Sequence, residues 1–214
     1  MVALMERNMQ LKEHWENVYS TKPVDSVSWF QEHAELSLRL IRDAGTPLSS
    51  SIIDVGGGAS TLVDDLLEAG YQSLTVLDLS RAALETAQKR LGPKAKKVHW
   101  IEANITNAGL PPNAFDVWHD RAVFHFLTTT DERHAYVETV LRTVKPGGHV
   151  IVATFAEDGP MQCSGLSVMR YSANNLHAEF GLPFTLLRQE KEEHHTPAGG
   201  VQKFVYCYCR KQDG

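Results

Sequence analysis

Two carboxylates and a run of glycines are the residues of this chain whose spacing could do chemistry. Asp54 stands near the end of an apolar run in "SIIDVGGGAS", residues 51–60, and Gly56, Gly57 and Gly58 follow it. Asp78 closes the next apolar run, "SLTVLDL", twenty residues beyond Gly58. Glycine takes up positive φ without strain and lets a ligand approach the backbone closely. A carboxylate at that distance can accept hydrogen bonds from both hydroxyls of a ribose. The pattern points to an adenosine-bearing ligand held at a turn.

Such residues converge only if strands end side by side. "SIIDV", "SLTVLDL", "VHWIEA", "FDVWHD" and "HVIVATF" read as five short strands. Helical patterns separate them: "STLVDDLLEAG", then "RAALETAQKRLG" with Ser80 able to cap it, then "DERHAYVETVLRTV", stopped by "KPGG". Strands alternating with helices of this length predict a parallel sheet covered on both faces. Ligands of such sheets bind beyond the carboxyl ends of the strands, where Asp54, Asp78, Asn104, Ile105, Asp120 and Arg121 stand. Ahead of the sheet, Leu11, Trp15, Val18 and Tyr19 share one face of a helix over 8–20, and a second helix is expected over 31–44. After Phe155 the alternation fails. A loop and a helix near 172–180 precede "FTLLRQEKEEHH" and "QKFVYCYCRK", which the turn "TPAGG" joins as an antiparallel hairpin.

The bulk composition narrows the classes of function. Net charge is −5, so there is no basic excess to neutralise phosphates, and nucleic acid is not expected as a partner. Lys94, Lys96 and Lys97 read as a solvated helix end. No apolar run reaches the roughly 20 residues of a membrane helix, and the first residues lack a secretory pattern. Three cysteines, Cys163, Cys207 and Cys209, are too few for a disulfide framework. A cytoplasmic location is the expectation.

Both NAD and S-adenosylmethionine satisfy the acid-and-glycine pattern, and two details separate them. The dinucleotide pattern G-x-G-x-x-G needs a third glycine where Thr61 stands. An acid at the end of the first strand repels a pyrophosphate but favours a cationic ligand such as a sulfonium with an amino-acid tail. Both observations disfavour NAD.

Taken together, "IIDVGGGAS", "LTVLDLS", "EANIT", "FDVWHD" and "VKPGGHVIVATF" resemble a class I S-adenosylmethionine-dependent methyltransferase. The lead-in "HWENVYS…VSWF" resembles a subgroup that includes small bacterial methyltransferases and some protein-lysine methyltransferases. The resemblance implies an α/β, Rossmann-like seven-stranded sheet of order 3-2-1-4-5-7-6 with the last strand antiparallel. One domain over 1–214 is expected, with an N-terminal helical lid over 1–47, a cofactor-binding core over 48–156, and an acceptor loop and hairpin over 157–214. It also implies roles. Gly56 and Gly58 would line the methionine portion, and Asp54 would lie near its amino group. Asp78 would bind the ribose, with Leu79 against the adenine. Asn104 would accept from the adenine amine, Ile105 would donate from its backbone, and Asp120 and Arg121 would sit by the methionine end. The family often has Asp at the Asn104 position.

Methyl transfer asks a protein mainly for in-line positioning. A base is needed only where the nucleophile arrives protonated. His125 and Tyr19 are the catalytic candidates, with His125 suited by its ordinary pKa of about 6.5 unless it packs into the core. His119 lies inside a strand and reads as core. Trp29 and Trp15 are either a helix anchor or an aromatic lid over a cation. Cys163, Met169 and Tyr171 are candidate acceptor contacts. Cys207 and Cys209 read as reduced core residues and His194-His195 as a solvated turn, so no metal is expected. No N-P-P-Y sequence follows the fourth strand, which disfavours amino groups of DNA. Little chain lies outside the core, which favours a small-molecule acceptor. A protein lysine is the alternative, as are an NAD-dependent oxidoreductase and a non-catalytic S-adenosylmethionine-binding protein.

Overall fold

The computed structural model describes residues 2–213; residues 1 and 214 of the expected domain lie outside that range. Four short segments, β1 (Ser51–Val55), β2 (Ser73–Asp78), β3 (Val98–Glu102) and β4 (Phe115–Arg121), pair in parallel, and β5 (Val144–Phe155) continues beside β4. The C-terminal hairpin, β8 (Phe184–His195) and β9 (Val201–Lys211), adds antiparallel strands, β9 lying against β5. The sheet order is β3-β2-β1-β4-β5-β9-β8, the expected order once the strands outside the sheet are left uncounted.

Those outside strands form a separate hairpin, β6 (Gln162–Cys163) and β7 (Leu166–Ser167), in what the sequence predicts as loop. Ser164 at φ 51° and Gly165 at φ 78° make its two-residue turn. Positive φ at both central residues matches the twist of flanking strands.

Among the described residues six helices pack around the sheet: α1 (Val2–Thr21), α2 (Glu35–Asp43), α3 (Leu62–Glu68), α4 (Arg81–Leu91), α5 (Thr130–Thr143) and α6 (Ala173–Phe180). Ser80 caps α4 by accepting from Ala83 N at 3.1 Å, and Thr129 and Glu132 form a reciprocal capping box at α5. These caps satisfy N–H groups that have no partner within the helix. Helix α2 starts later than the periodicity predicts. Its entry is set by tertiary contacts: Asp65 of α3 accepts from Ala34 N at 2.8 Å, and Thr61 Oγ1 donates to Gln31 O at 3.0 Å.

The sheet divides the core in two. Ile52, Val117 and Tyr206 face a cluster with Leu40 and Ile41 of α2 and Leu62 and Leu66 of α3. Ile53, Trp118 and Cys207 face a cluster with Tyr136 and Val140 of α5 and Leu176 and Phe180 of α6. Successive strand residues point to opposite faces, so each position in β4 is committed to one cluster or the other.

Candidate active site

The site forms where β1, β2 and β4 end together, with the residues after β3 at its side. Gly56 has φ 71°, and a Cβ there would run into the Val123 side chain. A Cβ on Gly57 would strike Asp54 Oδ2, and one on Gly58 would lie 2.6 Å from Asp78 Oδ2. The glycines are thus required by the chain's own packing. Gly56 lines the cavity, but Gly58 does not: its N–H donates to Asp78 Oδ2 at 3.0 Å. Gly58 is a support of Asp78, which corrects its expected place beside the ligand.

Asp78 is buried and also accepts from Ser80 N at 2.8 Å. Burial pushes its carboxyl up to about 6, against the stabilising N–H groups of Ser80 and Gly58 and with the nearby Asp54 charge adding to the rise. Leu79, Ile105, Asn104 and Thr106 line the cavity beside it. Asn104 differs from expectation in its donor sense. Its Oδ1 accepts from Thr106 N at 3.0 Å and from Thr106 Oγ1 at 2.9 Å. Both lone pairs are engaged, so in this arrangement the side chain offers its NH₂ and cannot accept from an amine.

Asp54 is 3% exposed, and its Oδ1 pairs with His119 Nδ1 at 2.7 Å. Its Oδ2 is buried with no hydrogen-bond partner among the described residues, and Asp54 lines a cavity together with Gly56, Gly57, Ser60 and Arg121. A buried carboxylate oxygen left bare is costly, so a donor or cation is the natural complement. His119, read as core from the sequence, is buried at 2% exposure and engages Ser37 of α2 through Nε2 at 2.9 Å.

Arg121 lies at the junction of two cavities, which Gly56, Tyr19 and Trp29 also share. Its guanidinium is held by Glu192 Oε2 at 3.0 Å, by Tyr206 OH at 3.1 Å and by Trp29 O at 3.3 Å, and it lies 4.2 Å over the Phe204 ring. The arginine therefore ties the Trp29 segment to the C-terminal hairpin. Burial and the nearby Asp78 push the Tyr19 hydroxyl far up, so it stays protonated at neutral pH.

An aromatic wall closes this end. Trp15 meets Trp29 at 5.6 Å and Phe126 at 5.2 Å between ring centroids, both edge-on, and Tyr19 meets Trp29 at 6.2 Å. Helix α1, which carries Trp15 and Tyr19, is latched around the rim. Arg7 reaches Thr128 Oγ1 at 2.8 Å and Glu132, and Lys12 pairs with Glu102. His14 Nε2 lies 3.3 Å from Ser164 Oγ of the β6–β7 turn. Glu16 accepts from Arg81 N at 2.6 Å and from Ala82 N at 3.1 Å, capping α4 from outside.

Two expected site residues point elsewhere. Asp120 faces away from both cavities: it accepts from Tyr136 OH at 2.6 Å, Val123 N at 2.8 Å and Phe124 N at 3.1 Å. Period-two alternation puts it on the α5 face, opposite His119 and Arg121. His125 is fully buried between Phe126 and Phe155, with centroids at 4.5 and 4.7 Å. Its Nδ1 accepts from Phe155 N at 3.4 Å, and burial, with the Arg121 charge, drives its pKa down to about 3. It lines neither cavity and is not placed to act as a base.

Of the candidate acceptor contacts, Cys163 lines the cavity, whereas Tyr171 is buried on Phe124. Burial raises the Cys163 thiol to about 12. His194 is buried and bound to Ser28 O at 2.8 Å rather than solvated. Sequence reasoning did not find Ser37, Glu192, Tyr206 or Phe126. Only for Phe126 was there a local signal, its place one residue from His125 in "VFHF". Among the described residues no cluster of His, Cys, Asp or Glu could hold a metal ion, and no helix is long and apolar enough to cross a membrane.

Residues 52–148 match a family described as a methyltransferase domain. EEF1A lysine methyltransferase 2 of Danio rerio is 24% identical over 157 residues, 67% of this chain and 67% of that protein. Ubiquinone/menaquinone biosynthesis C-methyltransferase UbiE of Shewanella woodyi is 24% identical over 121 residues, 55% of this chain and 47% of the relative, so the match spans less than half of that protein. In fold, the chain is similar to 1,6-didemethyltoxoflavin-N1-methyltransferase of Burkholderia thailandensis, solved with 1,6-didemethyltoxoflavin and S-adenosylhomocysteine. The TM-score is 0.71 at 18% identity, over 98% of this chain and 90% of that one. The matched domain and the sheet order agree with the acid–glycine–acid pattern at the strand ends: the chain carries a methyltransferase domain over residues 52–148 and has the fold of S-adenosylmethionine-dependent methyltransferases, with S-adenosylmethionine as its cofactor.

Proposed function

We propose that the chain transfers the methyl group of S-adenosylmethionine to a small-molecule acceptor seated against the aromatic wall. The enclosure carries this reading. Helix α1 is fastened over the cavity at Thr128, Glu102, Ser164 and the N-terminus of α4. Trp15, Tyr19, Trp29, Phe126 and Cys163 close the space around it. A roofed, largely apolar pocket suits a small, flat acceptor.

In this reading Asp78 accepts from the ribose hydroxyls and Leu79 and Ile105 flank the adenine. Asn104 donates to an adenine ring nitrogen. Gly56 leaves room for the methionine chain, and the bare Oδ2 of Asp54 takes its ammonium group. Arg121 supports Trp29 at the methionine end. The bare oxygen and the glycine cradle both fit a ligand with a cationic tail. The cofactor supplies an already activated methyl group. The chain's residues contribute alignment and exclusion of water.

Neither catalytic candidate suits removal of a proton near neutral pH, since His125 is out of reach and Tyr19 holds its proton. The carboxylates Asp78 and Glu132 that also line the cavity are engaged, Asp78 by Gly58 and Ser80 and Glu132 by Arg7 and Thr129. The acceptor is therefore a nucleophile with a free lone pair at neutral pH, such as a thiolate, an aromatic ring nitrogen or an acidic phenol. Incubation with methyl-labelled S-adenosylmethionine and a panel of such compounds, beside protonated alkylamines, tests this. Labelling confined to the alkylamines would refute it.

A second reading is a protein-lysine methyltransferase, favoured by the likeness to the Danio rerio protein named for that activity. It requires α1 to open far enough for a lysine to enter. Labelling of a protein in a cell extract, with no labelled product in the small-molecule panel, would select it.

A further inference from the structure

A continuous file of buried polar groups runs from Asp54 to the C-terminal hairpin, and nothing in the methyl-transfer chemistry calls for it. Asp54 and His119 are partners in the β1–β4 register, so their side chains leave the sheet on the same face. Asp54 Oδ1 pairs with His119 Nδ1 at 2.7 Å, and His119 Nε2 with Ser37 Oγ at 2.9 Å. Ser37 Oγ lies 3.4 Å from Tyr206 OH, which donates to Glu192 Oε2 at 3.2 Å and accepts from Arg121 Nε at 3.1 Å. Asp54, His119, Ser37 and Tyr206 are each 3% exposed or less. Four elements, β1, β4, α2 and β9, each commit a buried polar side chain to the line.

An apolar pair of similar volume would hold the sheet and α2 together without the desolvation that buried polar groups suffer. The arrangement has a distinct consequence at its cavity end. A carboxylate with no partner rotates about χ2 and presents its two oxygens alike. Here one oxygen is fixed on His119 and the other has no partner, on a residue that lines the cavity. Fixing an anion before its partner arrives removes part of the ordering cost from the binding step.

We propose that His119, held in turn by Ser37, is a positioning residue that sets the Asp54 carboxylate in its ligand-receiving orientation. It acts on affinity for the amino-acid tail of the cofactor alone. This inference rests on the assignment of Asp54 to the ammonium group made above.

The test compares two ligands by calorimetry: S-adenosylhomocysteine, which carries the tail, and 5′-methylthioadenosine, which keeps the adenosine and lacks it. The wild-type chain should bind the first more tightly. His119→Ala should weaken S-adenosylhomocysteine about tenfold and leave 5′-methylthioadenosine within about twofold. His119→Asn, whose NH₂ can replace Nδ1–H, should recover most of the loss. Ser37→Ala should show a smaller loss, about threefold, with the same selectivity. In an Asp54→Asn background, His119→Ala should add little, since coupled residues are not additive. His119→Asn and Ser37→Ala keep the test informative if His119→Ala does not fold. Equal losses for both ligands, or no loss in His119→Ala where Asp54→Asn has one, overturn the inference. Wild-type affinities that are equal for the two ligands overturn the Asp54 assignment instead, and the inference with it.

Discussion

The Asp120 carboxylate and the Tyr136 hydroxyl meet at 2.6 Å, on the face of β4 opposite His119 and Arg121. Tyr136 OH also accepts from Trp118 Nε1 at 2.9 Å. The two neighbouring N–H groups of Val123 and Phe124 complete a knot that shapes the turn after β4. Burial raises the Asp120 carboxyl to about 6, partly countered by these donors. Asp120 therefore holds the strand end in place from beneath, while His119 and Arg121 on either side of it line a cavity.

Replacing Asp120 by Ala strips three donors of their acceptor in the core. The expected cost is about 3 kcal/mol of stability, read as a lower midpoint in denaturant. Affinity for S-adenosylhomocysteine, measured well below the unfolding range, should change by less than about threefold. A loss of affinity with stability intact would return Asp120 to the ligand.

In the proposed ribose-binding role, Asp78 should make cofactor affinity depend on pH. Its carboxyl lies near 6, above its ordinary value, so it is ionised at pH 8 and mostly protonated at pH 5. Only the ionised form accepts from both ribose hydroxyls. Affinity for S-adenosylhomocysteine should be level above about pH 7 and fall toward tenfold per pH unit below about 6. Asp78→Asn should bind weakly and without this dependence. A wild-type affinity equal at pH 8 and pH 5 would rule the assignment out.

Asn104→Asp should narrow the preference for adenine. The carboxylate can keep one oxygen on Thr106 N–H and Oγ1–H, as Asn104 does at 3.0 and 2.9 Å, but its other oxygen replaces the NH₂ that donates to the adenine ring nitrogen. The inosine analogue of S-adenosylhomocysteine carries an N–H at that ring position and can donate to the carboxylate. The wild-type preference for S-adenosylhomocysteine over this analogue should fall about tenfold in Asn104→Asp, and an unchanged preference would remove the donor role from Asn104.

His125 should bear on stability and not on transfer. Its folded pKa of about 3 lies below the ordinary value of 6.5, so between these limits the unfolded chain binds a proton that the folded chain does not. Stability from this residue is present above pH 6.5 and is lost on acidification, by up to about 2 kcal/mol at pH 5. Asp78 and Asp120, with raised carboxyls, act in the opposite sense over pH 4 to 6. Subtracting the curve of His125→Leu from that of the wild type isolates the histidine. The turnover of His125→Leu at saturation should stay within about twofold, and a larger fall would reinstate it near the reacting atoms.

Glu16 fastens α1 to α4 through two backbone N–H groups. Glu16→Ala should loosen the roof of the site and speed release of S-adenosylhomocysteine several-fold in stopped flow, with a smaller change in its association rate. An unchanged release rate would mean that α1 does not gate the product.

Some of this is legible in the chain because it is local. The glycines after Asp54, and Asp78 at the next strand end, announce themselves through short-range pattern and spacing. The spacing of Asn104 and Thr106 is that of an Asx turn, which could have predicted the engaged oxygen. "VFHF" surrounds His125 with aromatic residues, a composition that also suits burial. Ser37 and Tyr206 carry no such signal, since 169 positions separate the two hydroxyls that meet beside His119.

The sequence by itself determined the α/β sheet, its closing hairpin and the kind of cofactor, because strand period, turn glycines and strand-end acids act within a few residues; the antiparallel finish of the sheet followed from the family resemblance. Only the tertiary structure decided which polar residues reach the cavity. Alternation in "WHDR" says that His119 and Asp120 lie on opposite faces of β4. It does not say which face meets α2 and the cofactor cavity and which meets α5. That choice is made by the packing of distant helices on the two sides of the sheet. It sends Asp120 into the α5 knot and gives His119 to Asp54.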